Sequence, residues 1–209
     1  MTNLNGIPTM EQSLEIMKEA ERTNPGAWIK HSKYVARAAR SIASKLKNVN
    51  PENAFVLGLL HDIGRKDGDM NMKHIIVGYN YLLSLGYAKG AKICLTHTFP
   101  SKEIDSIYGK WDCSKSEISF VKQYINNTEY DIYDKLIQLC DSFSMSSGYL
   151  LIEKKMVNSI IRHGMNEKNI NRLKASLKLK NFFDKQIGES VYNLLPRVVQ
   201  NTFGFNMKI

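Results

Sequence analysis

Apolar residues recur at three- and four-residue steps along nearly the whole chain, and strict alternation is never sustained, so the pattern predicts helices throughout and an all-α fold. Trp28, His31, Val35, Ala38, Ile42 and Leu46 share one helical face, which puts His31 on the inward side of a helix expected to start at Asn24-Pro25, an N-cap followed by proline. Asn50-Pro51 repeats that chemistry and leads through Ala54, Phe55, Leu59 and Leu60 to His61, with Gly64 as the expected stop. Arg65 to Met72 is polar and reads as a loop. His74 to Leu85 then reads as a helix closed by a left-handed Gly86, and Ala88 to Thr98 as another that Pro100 keeps from continuing.

Ser101 to Ser114 mixes Ser, Asp, Gly and Lys with Tyr108 and Trp111, and is expected to be a long loop or lid beside a site. Helices follow over about 116–126 and 131–143, the latter burying Leu136, Ile137, Leu139 and Cys140 with Asp141 one step beyond. After Gly148, helices are expected over 149–162 and 167–187, separated by a Gly164 stop and an Asn166 cap, and a short last one over 189–195. Tyr149, Phe182, Phe183 and Tyr192 fall at core spacings. No hairpin signal, glycine-rich phosphate loop or internal repeat is present.

Composition narrows the class. A chain of 209 residues, 43% hydrophobic and 23% charged, suits one globular domain over 1–209. No apolar run approaches the roughly 18 residues of a membrane span, and the start lacks a signal-peptide pattern, so a soluble, cytoplasmic protein is expected. Three cysteines without a C-x-x-C pair argue against a disulfide framework or a thiolate zinc site. The net charge of +9 suits anionic partners such as nucleotides, nucleic acid or an acidic membrane surface. Between Glu153 and Lys185 nine basic residues face three acids, and this stretch is expected to be a solvated helical face; nucleic acid is the lesser reading, because stacking aromatics do not interleave the charges.

Four of the five histidines fall, with two aspartates, in the order H…HD…H…H…D: His31, His61-Asp62, His74, His97 and Asp141. Singly these have bland readings: His31 as a core histidine, His74 as a solvated helix start, Asp131 and Asp134 as helix caps, His163 as a helix-end charge, Cys94 and Cys140 as small buried residues. Asp141 differs from the capping acids because it follows an apolar run, where an unpaired carboxylate is costly and a metal would compensate it. Imidazole with carboxylate suits iron, manganese, nickel or zinc. His31, His61, Asp62 and Asp141 could hold one ion, and His74 and His97 a second that Asp62 bridges; such ions acidify water and polarise the bond under attack.

Together these residues resemble the signature of the HD-domain superfamily of metal-dependent phosphohydrolases. His61 to Arg65 is similar to the H-D-I-G-K form of the motif, with Arg65 where lysine is common, and His74-Ile75-Ile76-Val77-Gly78 resembles the H-x-x-x-G element after it. The resemblance spans about residues 25–145, leaving 149–209 as a C-terminal helical extension. It implies a helix bundle around one or two divalent ions (iron, manganese, magnesium or nickel, with zinc admissible). It further implies His31, His61, Asp62, His74, His97 and Asp141 as ligands, Asp62 and Arg65 as catalytic residues, and Arg65, with Lys66 a further candidate, as a phosphate contact. Lys30 is the only cation near the first histidine. The two-metal subgroup includes dinucleoside polyphosphate hydrolases and, more distantly, HD-GYP phosphodiesterases, but the lysine-to-proline stretch of the latter is missing, so cyclic di-GMP is not expected. The implied function is hydrolysis of a phosphomonoester or phosphoanhydride in a nucleotide-like substrate, with no particular oligomeric state. A metal-containing nucleotide sensor without turnover is the alternative, and an enzyme acting on RNA or DNA ends the third reading.

Overall fold

The helical periodicity is realised as ten α-helices over residues 6–205, the part of the chain that the computed structural model describes. α1 (Met10–Thr23) begins at a capping box in which Thr9 and Gln12 satisfy each other's backbone N–H. α2 (Ala27–Ala43) turns an inward stripe of Ala36, Ala38, Ala39 and Ala43 that lets α3 (Pro51–Leu60) lie close along it. Asn50 caps α3 as expected, accepting from the N–H of Glu52 and Asn53. α4 (Lys73–Ser84) ends at Leu85 with Gly86 at φ +82°, and α5 (Ala88–Thr96) ends with His97 in the cap position. α6 (Lys115–Asn127) and α7 (Ile132–Phe143) start from capping boxes at Ser114 and Asp131. α8 (Ile152–His163), α9 (Asn169–Ile187) and α10 (Val198–Phe203) follow in the described residues.

Several local expectations are corrected. Asn24-Pro25 does not open α2: Asn24 closes α1, its side chain donates to the Arg65 carbonyl at 2.7 Å, and α2 starts two residues later from Gly26. The polar segment after His61 is not all loop, and Gly64 is no stop. The chain tightens there into a 3₁₀ turn over Ile63–Asp67. A two-residue hairpin, β1 (Ser144–Met145) with β2 (Gly148–Tyr149), displaces the start of α8 to Ile152. The short helix expected over 189–195 is a 3₁₀ turn, Val191–Leu194, ended because Pro196 forces Leu195 into extended geometry. α10, beyond it, was not anticipated. Of the four expected core aromatics, Tyr149 and Phe183 are buried and Tyr192 packs against the core, but Phe182 is 37% exposed.

Two apolar clusters result. The larger joins α2, α3 and α7 with Phe183, Val191, Leu195 and Val198 from the C-terminal stretch. The smaller gathers Ile75, Leu95, Phe99, Ile107, Val121 and Ile125 from α4, α5, α6 and the segment before α6, with Trp111 stacked on Phe99. His61 and Asp62 follow directly on Leu59-Leu60 of the first cluster, while His74 and His97 neighbour Ile75 and Leu95 of the second.

The seam between the clusters depends on Gly64. A Cβ there would lie 1.9 Å from the His74 carbonyl oxygen and 2.5 Å from the Gly78 nitrogen, both backbone atoms that cannot swing aside. Gly64→Ala is therefore expected to lower stability by about 3 kcal/mol or more. Gly26→Ala, whose Cβ meets only the Trp28 ring edge, is expected to cost within about 1 kcal/mol. Urea midpoints of the two variants check this, and equal midpoints would overturn the close-approach argument.

Candidate metal centre

Two imidazoles sit at helix C-termini, where backbone carbonyls lack helical partners, and a third in the first turn of a helix. At the end of α3 the His61 Nδ1–H donates to the Gly58 carbonyl at 2.8 Å; at the end of α5 the His97 Nδ1–H is shared between the carbonyls of Cys94, 3.0 Å, and Ile93, 3.2 Å. His74, in the first turn of α4, donates from Nδ1 to the Asn71 carbonyl. With the protons so placed, each Nε2 carries a lone pair, and all three turn toward Asp62: His74 at 3.0 Å, His97 at 3.5 Å and His61 at 3.9 Å from a carboxylate oxygen. The Nε2 atoms of His61 and His74 are buried without a hydrogen-bond partner. Lone pairs facing a carboxylate in a dry site are unfavourable unless a cation joins them, so these residues fit a divalent ion.

The ligand atoms of His31, His61 and Asp62 lie within 4.8 Å of one another, as do those of Asp62, His74 and His97, and Asp62 belongs to both groups. His31, on the inward face of α2, also meets Asp141 at the end of α7, Nε2 to Oδ1 3.1 Å. Asp141 accepts as well from Lys155 of α8, whose ammonium lies 3.3 Å from Oδ1 and also donates to the Asp141 carbonyl. All six residues singled out in the sequence thus meet in one place, with Asp141 reached through His31.

Burial would raise the Asp62 pKa, but Arg65, His61 and His74 outweigh it and hold the carboxyl well below the usual range. Arg65 is the closest of these, with Nε 2.9 Å from Asp62 Oδ2 and one Nη donating to the Met70 carbonyl at 2.8 Å. Asp141 behaves alike, Lys155 and His31 outweighing burial. Burial lowers His61, and burial with the neighbouring His61 pushes His97 down to about 3. Asp62 and Asp141 ionised with His61 and His97 neutral near pH 7 are protonation states that metal ligation requires.

Supporting residues come from far away in sequence. Asp112 accepts from the N–H of Asn71 and Lys73, both at 2.8 Å, and so pins the start of α4 that presents His74. Asp134 is fully buried and accepts from Thr96 Oγ1 at 2.7 Å and Lys92 at 2.6 Å, while Gln138 donates to the Thr96 carbonyl at 2.9 Å; together they clamp the turn that carries His97.

A cavity of about 480 Å³ opens over the centre. Arg65 lines it but is committed to Asp62. Lys66 faces Asp67 and the Tyr81 ring instead, and Lys30 is exposed on α2 outside the cavity. Trp111 belongs to the core, whereas Tyr108 of the same segment lines the cavity. His163, read as a helix-end charge, lines it too. The basic C-terminal stretch is not wholly a solvated face, because Lys155 and Arg172 turn inward. Helical phase carried that signal: Lys155 lies three residues from buried Ile152, and Arg172 three from Asn169 and four from Ser176, both buried.

A family model described as HD domain matches residues 28–146, more than half of the chain, and the match contains all six clustered residues. No curated protein and no solved structure matches the chain.

His97 is depressed from 6.5 to about 3 in the fold, so it stabilises the metal-free protein fully above its unfolded pKa, and that contribution falls away as pH drops toward 3. His61 shifts in the same direction. Chelator-treated protein is expected to lose about 3 kcal/mol of unfolding free energy between pH 7 and pH 4 through His97. His97→Gln should flatten the profile of urea midpoint against pH; an unchanged slope would count against a neutral, buried imidazole.

Proposed function

We propose that this chain, which belongs to the HD domain family, is a metal-dependent phosphohydrolase that holds two divalent ions and cleaves a phosphomonoester or phosphoanhydride of a nucleotide-like substrate. The supporting observation is the shared carboxylate: Asp62 belongs to both ligand groups, and the buried Nε2 atoms of His61 and His74 beside it have no partner. In this reading His31, His61, Asp62 and Asp141 hold one ion, and Asp62, His74 and His97 the other. The donor set favours iron, manganese, nickel or zinc over magnesium. Bound there, such ions supply Lewis acidity, acidifying water toward neutral pH and polarising a phosphoryl oxygen.

The chain's own groups do the positioning. Arg65 fixes the Asp62 carboxylate from one side, and backbone carbonyls hold His61, His74 and His97 each in one tautomer, so the donors are oriented before substrate arrives. Two of the five guanidinium N–H groups of Arg65 are used on Asp62 and Met70, and the remainder suit a phosphate oxygen. Lys155 sets an ammonium against Asp141 on the cavity wall, where it offsets substrate charge. A cavity of about 480 Å³ is of small-molecule size, which favours a nucleotide over a polymer end. Three free cysteines suit the reducing cytoplasm, and among the described residues no helix is long and apolar enough to cross a membrane.

One observation favours the sensor reading: Asp141 is already engaged by His31 and Lys155. Metal analysis and a turnover screen separate the two. Anaerobically purified protein is expected to carry about two ions per chain and to release phosphate from nucleotides with manganese or iron. Asp62→Ala should lose the metal and slow release by about 10³-fold or more while the helical circular dichroism stays, and His74→Ala should keep about one ion. Wild-type rates in Asp62→Ala, or tight nucleotide binding without product in the parent protein, would sink the enzymatic reading.

A further inference from the structure

The cavity carries positive charge that the metal centre does not use. Arg65, Lys155, Arg162 and Arg172 all line it; Arg65 is taken by Asp62 and Lys155 by Asp141. Arg162 and Arg172 pair with no carboxylate among the described residues, whereas nearby Lys168 meets Asp105 at 2.7 Å. Arg172 is held in place: its guanidinium lies 5.1 Å from the centroid of the Tyr108 ring, and the segment bearing Tyr108 is tied to α9 by Asn169, which donates to the carbonyls of Ser106 at 3.1 Å and Ile107 at 3.2 Å. Behind Arg172 and Lys155 a recess of about 70 Å³ continues between α7, α8 and α9, with Ser142, Ser159 and Ser176 among its lining residues. Burial lowers the Arg172 pKa, and Asp141, too far away to pair with it, offsets this only in part; a guanidinium stays charged, and a partly desolvated one with no acid in contact is costly unless an anion from outside completes it. Lys155, Arg162, His163 and Arg172 lie beyond residue 146, outside the matched family region.

Resting on the phosphohydrolase reading of the metal centre, we propose that Arg172, with Arg162 and His163 lining the same cavity, forms an anion subsite for a second phosphate or carboxylate, so that the preferred substrate carries two anionic groups. The planar guanidinium, backed by an aromatic face, suits bidentate recognition of such a group.

Calorimetric binding of AMP, ADP and adenosine 3′,5′-bisphosphate to the metal-loaded full chain tests this. At least one doubly phosphorylated probe is expected to bind about 10-fold or more tighter than AMP, ADP reporting an adjacent second group and the bisphosphate a remote one. Arg172→Gln should erase that advantage and leave AMP within about 2-fold, with KM rather than kcat changing for the doubly charged substrate. Lys178→Gln, which removes the same charge from an exposed position on α9, should change nothing. Should Arg172→Gln melt early, Arg172→Lys keeps the charge without the fork and is expected to lose part of the preference. No preference in the parent protein, or equal effects of Arg172→Gln on all three probes, overturns the subsite. If no probe is hydrolysed yet Arg172→Gln still removes the binding preference, the subsite stands and the phosphohydrolase reading falls.

Discussion

The carboxylate of Asp62 sits in a nearly dry pocket with three imidazole nitrogens and one guanidinium turned toward it. A buried carboxylate is tolerable only if compensated, and Arg65 supplies part of what is needed. The remaining groups are acceptors facing an acceptor, which leaves room in the energetics for a cation. Much of the surrounding structure serves this encounter. Gly64 admits the carbonyl of His74 to a distance no side chain would allow, and so brings the 3₁₀ turn after α3 against α4. Asp112 and Asp134, each from a segment distant in sequence, set the helix ends that carry His74 and His97.

The placement of the histidines follows from helix chemistry. A helix leaves its last carbonyls without N–H partners, and an imidazole in the cap position can satisfy one with Nδ1–H. His61 and His97 both do so, and the same bond that closes the helix selects the tautomer whose Nε2 is free to act as a ligand. His74 achieves the same result at a helix start, through the Asn71 carbonyl. Capping and ligand orientation are thus one interaction seen from two sides.

The C-terminal helices bring the other sign of charge. Lys155 and Arg172 reach the cavity from α8 and α9 while most of the surrounding lysines remain in solvent. Candidate ligands rich in carboxylate and imidazole on one wall, and guanidinium groups that pair with no carboxylate among the described residues on the other, make a polarised cavity. The field arises from two different stretches of chain, the matched family region and the helices after it.

Periodicity alone was enough for the all-α class, for the inward faces of α2 and α7, and for the caps at Asn50, Gly86 and Asp131, because each depends on chemistry within a turn or two. The six clustered residues were legible for a related reason: the motif pairs rare residue types with helix ends, and that grouping survives in one dimension. What periodicity missed lies where a distant partner decides. Asn24 reads as a cap but is claimed by the Arg65 carbonyl, Gly64 reads as a stop but is a point of contact, and Ser144 to Tyr149 pairs as a hairpin too short to leave an alternating pattern. The roles of Asp112 and Asp134 came only from tertiary structure, and for Lys155 and Arg172 helical phase gives the inward face but not the groups they meet. A charged side chain's function depends on which groups it faces across space, and residues 40 or more positions apart in sequence carry no local record of meeting, as with Asn71 and Asp112, 41 apart.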